Sequence, residues 1–198
     1  MATITSDQVR ELRDRSGAPM MDCKKALDET AGDMTAAAEW LRKKGIASAA
    51  KRAGRAVNEG TIHAYVHHNG RVGVLLEINC ESDFVAKTDQ FKTFCNDVAL
   101  HIASMAPRYL SREQVPAEVV EKEREILRAQ VDPKKPKEIQ DKILEGKIQS
   151  FFGEVCLLDQ PFVKDSAKTI EQVRAEAVGV IGENIVIRRF VRYDLGGE

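Results

Sequence analysis

The sequence predicts an α+β protein, and three observations carry the prediction. Residues 1–45 place apolar side chains at helical spacing between capping and stop signals. Two alternating runs meet at Asn69-Gly70, the strongest short signal for a hairpin turn. The segment NIVIRRFVRY, residues 184–193, is a strand by its β-branched and aromatic content. The expected architecture is an N-terminal three-helix bundle followed by an α+β core. That core holds a small antiparallel sheet, hairpin plus C-terminal strand, and several helices. Residues 1–54 are expected to form the helical domain with a basic linker helix, and residues 55–198 the core.

Each element has a local reason. Thr5 and Gln8 make a capping box for a first helix, with Val9 and Leu12 on one face. Ser16-Gly17-Ala18-Pro19 breaks it, and Pro19 suits the start of a second helix whose apolar stripe is Met20, Cys23 and Leu27. Asp33 caps a third, carrying Ala37, Trp40 and Leu41 and ending at Gly45. The Ala-rich, basic run IASAAKRAGRAV, residues 46–57, reads as a fourth helix entering a linker at Gly54. In the hairpin, Ile62, Ala64 and Val66 alternate with polar neighbours, as do Val72, Val74, Leu76 and Ile78.

Beyond the hairpin, helices dominate. Phe91, Phe94, Val98 and Ile102 mark one helix face, and Ser111 with Gln114 forms another capping box. Asp132-Pro133 and Pro136 precede a helix bearing Ile139, Ile143 and Leu144. Thr169 and Gln172 open a last helix that closes at Gly182. The alternation in the final strand slips at Arg188-Arg189, which predicts a bulge or an edge. A sheet this thin has open edges that invite pairing with another chain.

Composition narrows the function classes. The chain has 198 residues and a formal charge of -1, a balance that argues against broad nucleic-acid binding. The Lys51, Arg52 and Arg55 cluster is either a local phosphate contact or a solvated linker. No apolar run approaches the roughly 20 residues of a membrane span. The polar N-terminal run resembles neither a signal nor a transit peptide, so a cytoplasmic location is expected. Cys23, Cys80, Cys95 and Cys156 form no CxxC pair, and no His stands at zinc-ligand spacing from them. His67 and His68 flank the turn with no acid near in sequence. Phosphate-cradling loops, GxSxG and HExxH are absent, so neither an enzyme nor a bound cofactor is expected.

The segment CESDFVAKTD, residues 80–89, lies between the second hairpin strand and the helix that starts near Phe91. Ser82 or Asp83 as a cap would send Phe84 and Val85 inward. Thr88-Asp89, however, offers a second helix start. Phe84 is therefore either a plug for the protein's own core or an apolar anchor on a short turn held ahead of the main helix. Such anchors dominate interface energetics, at roughly 2 kcal/mol or more each.

Several blocks in order carry a family resemblance. They are RSGAPMMDCKKAL, CESDFVAK, PAEVVEKE, KKPKEI, FFGEVCLLDQPFVKD and TIEQV. Together they resemble the signatures of bacterial elongation factor Ts over essentially the whole chain, in a short form with a single core subdomain. Ser82 stands where the family usually has Thr, and Pro19 where Gly is common.

The resemblance implies a guanine nucleotide exchange factor for elongation factor Tu, the GTPase that delivers aminoacyl-tRNA. It implies an N-terminal bundle similar to ubiquitin-associated domains, which docks on the partner's nucleotide-binding domain. It also implies that the turn carrying Ser82, Asp83, Phe84 and Val85 inserts beside the partner's magnesium and displaces it, so that GDP leaves. Met20 and Met21 are candidate docking residues or bundle core. The short form and the sheet edge suggest a homodimer and a 2:2 complex. The final strand has no cysteine, so the pairing is expected to be noncovalent. Direct contact with nucleic acid or membrane is not expected. The competing reading is a non-enzymatic adaptor, with the bundle as its interaction module and the core as its dimeriser.

Overall fold

The structure is a computed structural model that describes residues 4–197. Residues 1–3, where the polar N-terminal run and the expected helical domain begin, and residue 198, the last of the expected core, lie outside the described residues. In chain order the elements begin α1 (Ser6–Ser16), α2 (Met20–Glu29), α3 (Met34–Arg52), β1 (Glu59–Val66) and β2 (Val72–Cys80). They continue with α4 (Asp83–Ala86), α5 (Asp89–Met105), α6 (Ala117–Ala129) and α7 (Lys137–Val155). The last are β3 (Pro161–Phe162), β4 (Asp165–Thr169), α8 (Ile170–Ile181) and β5 (Ile185–Asp194). The fold is α+β. An antiparallel sheet has strand order β1-β2-β5, and β3 pairs with β4 in a separate small hairpin. Among the described residues, no helix is long and apolar enough to cross a membrane.

The chain divides into two compact units. The first comprises Met1–Ile62, Glu77–Cys95 and Gln172–Arg188; the second comprises His63–Leu76, Asn96–Glu171 and Arg189–Glu198.

The first unit contains the three N-terminal helices. The Thr5 side chain accepts from the Gln8 N–H at 3.3 Å, while Gln8 Oε1 accepts from the Thr5 N–H at 2.9 Å, a complete capping box. Asp33 caps α3 by accepting from the N–H groups of Thr35 and Ala36. Val9, Leu12, Ala18, Cys23, Ala26, Leu27 and Ala37 form the bundle core, with Trp40 and Leu41 packed against it. Met20 does not join this stripe; it is exposed on the head of α2.

Gly45 does not end a helix. α3 runs through it to Arg52, so the expected fourth helix is the C-terminal half of α3. The reason is packing. A Cβ on Gly179 of α8 would lie 2.7 Å from the Gly45 Cα, so two backbones meet where neither residue has a side chain. A helical glycine costs about 1 kcal/mol against alanine, and this close approach is what the two glycines permit.

The hairpin forms as expected around Asn69-Gly70, where Gly70 has φ 67°, a left-handed conformation that glycine adopts without strain. The apolar set of β1 is nevertheless its outward one: Ile62, Ala64 and Val66 are exposed, while Thr61, His63 and Tyr65 are half-buried. On β2 the set Val74, Leu76, Ile78 and Cys80 is buried. In β5 the burial alternation breaks at Arg188-Arg189, where the sequence slips.

In the second unit, Ser111 and Gln114 bracket a short 3-10 turn, Arg112–Gln114, and do not cap α6. Gln114 Oε1 accepts from the Leu110 N–H, and α6 starts after Pro116. Val115, Val155 and Cys156 pack with Tyr109, Val119, Val120, Phe151 and Phe152. His101 is fully buried. Its Nδ1 accepts from the Val163 N–H at 3.1 Å, so Nε2 carries the proton and donates to Gln160 Oε1 at 2.9 Å. Burial pushes its pKa down and keeps the ring neutral.

Candidate partner-binding site

The turn at residues 82–85 is built by the end of β2. Ser82 is extended and caps α4: its Oγ accepts from the Val85 N–H at 3.4 Å. α4 is a single turn. At its end Thr88 Oγ1 donates to the Val85 carbonyl at 2.8 Å and accepts from the Phe91 N–H at 3.3 Å. Thr88 thus closes one helix and opens the next, which is why two helix starts compete in this stretch. The main helix then buries Phe91 completely. Phe84 is left out: it is 83% exposed, the most exposed large hydrophobic side chain among the described residues.

Asp83, beside it, is exposed and accepts from Lys87 Nζ at 2.7 Å, an i,i+4 pair on the surface. The hydrogen bond from Lys87, then its charge, holds the Asp83 carboxyl below the ordinary range, and the same pairing raises Lys87. Val85 is half-buried and Ser82 faces the protein. The four candidate residues therefore sit on one turn, with the aromatic and the acid outward.

A network that spacing did not reveal holds this turn. Glu183, just after α8, accepts from the backbone N–H groups of Glu81 at 3.1 Å and Ser82 at 3.0 Å, and from Ser82 Oγ at 2.6 Å. Glu81 in turn accepts from the Asn184 N–H at 2.6 Å and from Arg55 at 3.4 Å. Cys80 Sγ donates to the Ser82 carbonyl at 3.1 Å; burial first, then the Glu183 charge, pushes this thiol up to about 11. Glu183 stands about a hundred residues from its partners, and no spacing in the sequence links it to them.

Met20 and Met21 stand apart at the head of α2, 39% and 74% exposed, outside the bundle core. Of the basic cluster, Arg52 hydrogen-bonds Ser48 and Arg55 faces Glu81, so both are engaged within the protein. His67 packs on His68 and hydrogen-bonds Tyr65. Among the described residues, no three His, Cys, Asp or Glu side chains converge as a metal site. Cys23, Cys80, Cys95 and Cys156 are buried and unbridged. The arrangement offers an exposed apolar side chain and an exposed acid on a turn hydrogen-bonded at both ends.

Comparison with known proteins bears on what that turn is for. A family model for elongation factor TS matches residues 26–196. The chain is 58% identical over 194 residues to Elongation factor Ts of Carboxydothermus hydrogenoformans, covering 98% of this chain and 89% of that one. It is 55% identical to Elongation factor Ts of Acetivibrio thermocellus, covering 98% and 90% of the two chains. With that of Thermoanaerobacter sp. the identity is 54%, covering 98% and 95%. The chain belongs to the elongation factor Ts family of translation elongation factors.

Proposed function

We propose that the protein is a guanine nucleotide exchange factor that binds elongation factor Tu carrying GDP and expels the nucleotide. The exposed Phe84 carries this reading. An aromatic left out of its own core, on a turn hydrogen-bonded on both sides, is suited to entering a pocket of another protein. Burying such a side chain is worth about 1.5–3 kcal/mol, and a rigid turn loses little freedom on binding. Asp83 reaches the partner's magnesium site from the same turn, as the family resemblance implies, while Ser82 and Val85 shape the turn.

Exchange needs no catalytic group. It needs tight binding to the nucleotide-free partner and weak binding to the GDP-bound one, and linkage makes the antagonism reciprocal. Magnesium and phosphate contacts carry much of nucleotide affinity, so a wedge placed there has leverage. Residues 1–54 dock, with Met20 and Met21 as contact residues, and residues 55–198 carry the wedge and the dimer surface. The protein pairs noncovalently in a 2:2 complex through exposed apolar side chains of its strands, Val66, Leu75, Val191 and Tyr193.

The test is release of a fluorescent GDP from elongation factor Tu on mixing with the protein. Acceleration that saturates with protein concentration is expected; release at the partner's intrinsic rate would refute the proposal.

A further inference from the structure

We propose that Glu183 and Asn184, between α8 and β5, are positioning residues that clamp the Phe84 turn and the segment after α3 in one arrangement. The inference rests on the exchange function proposed above. β2 ends at Cys80, so the N–H groups of Glu81 and Ser82 have left the sheet ladder and need other acceptors. One Glu183 oxygen serves both, at 3.1 and 3.0 Å, and the other takes the Ser82 hydroxyl at 2.6 Å. These are charge-assisted bonds, about twice as strong as neutral ones.

The exchange is reciprocal. The Glu81 carboxylate accepts from the Asn184 N–H at 2.6 Å. Asn184 is 1% exposed, and its Nδ2 donates to the Arg55 carbonyl at 3.0 Å and lies 3.5 Å from that of Ala53. The Arg55 side chain closes the circuit on Glu81. Two consecutive residues thereby tie the wedge turn to the end of the helix that begins in the docking bundle. The segment that sequence reads as a basic linker is held at the Arg55 carbonyl and at its guanidinium.

A clamp of this kind acts on how well the wedge is presented and leaves the docking contacts alone. Its loss lowers the maximal rate of exchange and spares the concentration needed for half-saturation. General loss of structure would lower the amount of active protein, without that split and without rescue by an isostere.

The experiment measures fluorescent GDP release from elongation factor Tu against concentration of the full-length protein, for wild type, Phe84→Ala and three variants at 183. Glu183→Ala removes the acceptors; Glu183→Asp keeps the charge but withdraws it by about 1.5 Å; Glu183→Gln keeps the reach and one acceptor. Circular dichroism melts and amide exchange at Glu81 and Ser82 accompany the rates. Alanine and aspartate are expected to lower the maximal rate roughly tenfold or more, as leaving part-buried donors without their charged acceptor does. Half-saturation should stay within about twofold, protection at the two amides should fall, and glutamine should recover most of the rate. If alanine does not fold, aspartate carries the test. A folded aspartate variant with wild-type maximal rate, or one altered only in half-saturation, overturns the clamp while the exchange function stands. No acceleration by wild type overturns both.

Discussion

Phe84 and Asp83 are neighbours that meet solvent in different ways. Asp83 has a partner in Lys87; Phe84 stays 83% exposed. The pairing depresses the Asp83 pKa, so any stability it contributes is present above the unfolded-state value and fades as pH falls through the folded-state value. Both side chains are exposed, so the effect on melting is expected to be negligible. The pKa itself is measurable. Lys87→Ala should raise the Asp83 pKa toward the ordinary carboxylate value in a carbon-detected NMR titration; an unmoved value would show that Lys87 is not its cause. At this scale much was legible in the sequence: the doubled helix start around Ser82 and Thr88 is real, and it is what strands Phe84 outside. Glu183 was not legible, because hydrogen bonds to backbone N–H groups leave no mark on the spacing of side chains.

Among the elements, the contact between α3 and α8 gives an asymmetric expectation. A Cβ at Gly179 would meet the Gly45 Cα at 2.7 Å, which is backbone and cannot step aside. A Cβ at Gly45 would find its nearest neighbours, Ala175 O and Glu176 Cα, at 3.6 Å, ordinary contact. Gly179→Ala should therefore destabilise by about 1–3 kcal/mol, the usual cost of overpacking. Gly45→Ala should be neutral or stabilising by up to about 1 kcal/mol, from helix propensity. Thermal melts of the two variants check this, and equal losses would contradict the geometry. Sequence alone misjudged Gly45 as a helix end, since a glycine that stops a helix and one that admits a neighbour look alike. The same limit applies to β1. Alternation placed Ile62, Ala64 and Val66 on one face, but which face meets solvent depends on what covers the strand. The β3–β4 hairpin was missed because Pro161–Phe162 is too short to show a period.

For the molecule as a whole, the exposed apolar residues of the strands bear on assembly. Val66 on β1 and Val191 and Tyr193 on β5, the two outer strands, belong to the second unit and are at least 39% exposed. Exposed apolar side chains on sheet edges invite a second chain. Sedimentation at micromolar concentration should give twice the 22.0 kDa chain mass, and Val191→Glu combined with Tyr193→Glu should give a monomer. A monomeric wild type would contradict the dimer. The four cysteines are buried and unbridged, and burial pushes the Cys95 thiol up to about 12 and that of Cys156 to about 11. The function proposed for the whole rests on a side chain that contributes little to the protein's own stability. The measurement that tests it most directly compares Phe84→Ala with wild type in release of fluorescent GDP from elongation factor Tu, alongside the melting curves of both. The expected result is an unchanged melt, within about 0.5 kcal/mol as for other surface substitutions, with most of the acceleration lost. A folded Phe84→Ala that releases GDP as fast as wild type would contradict the account.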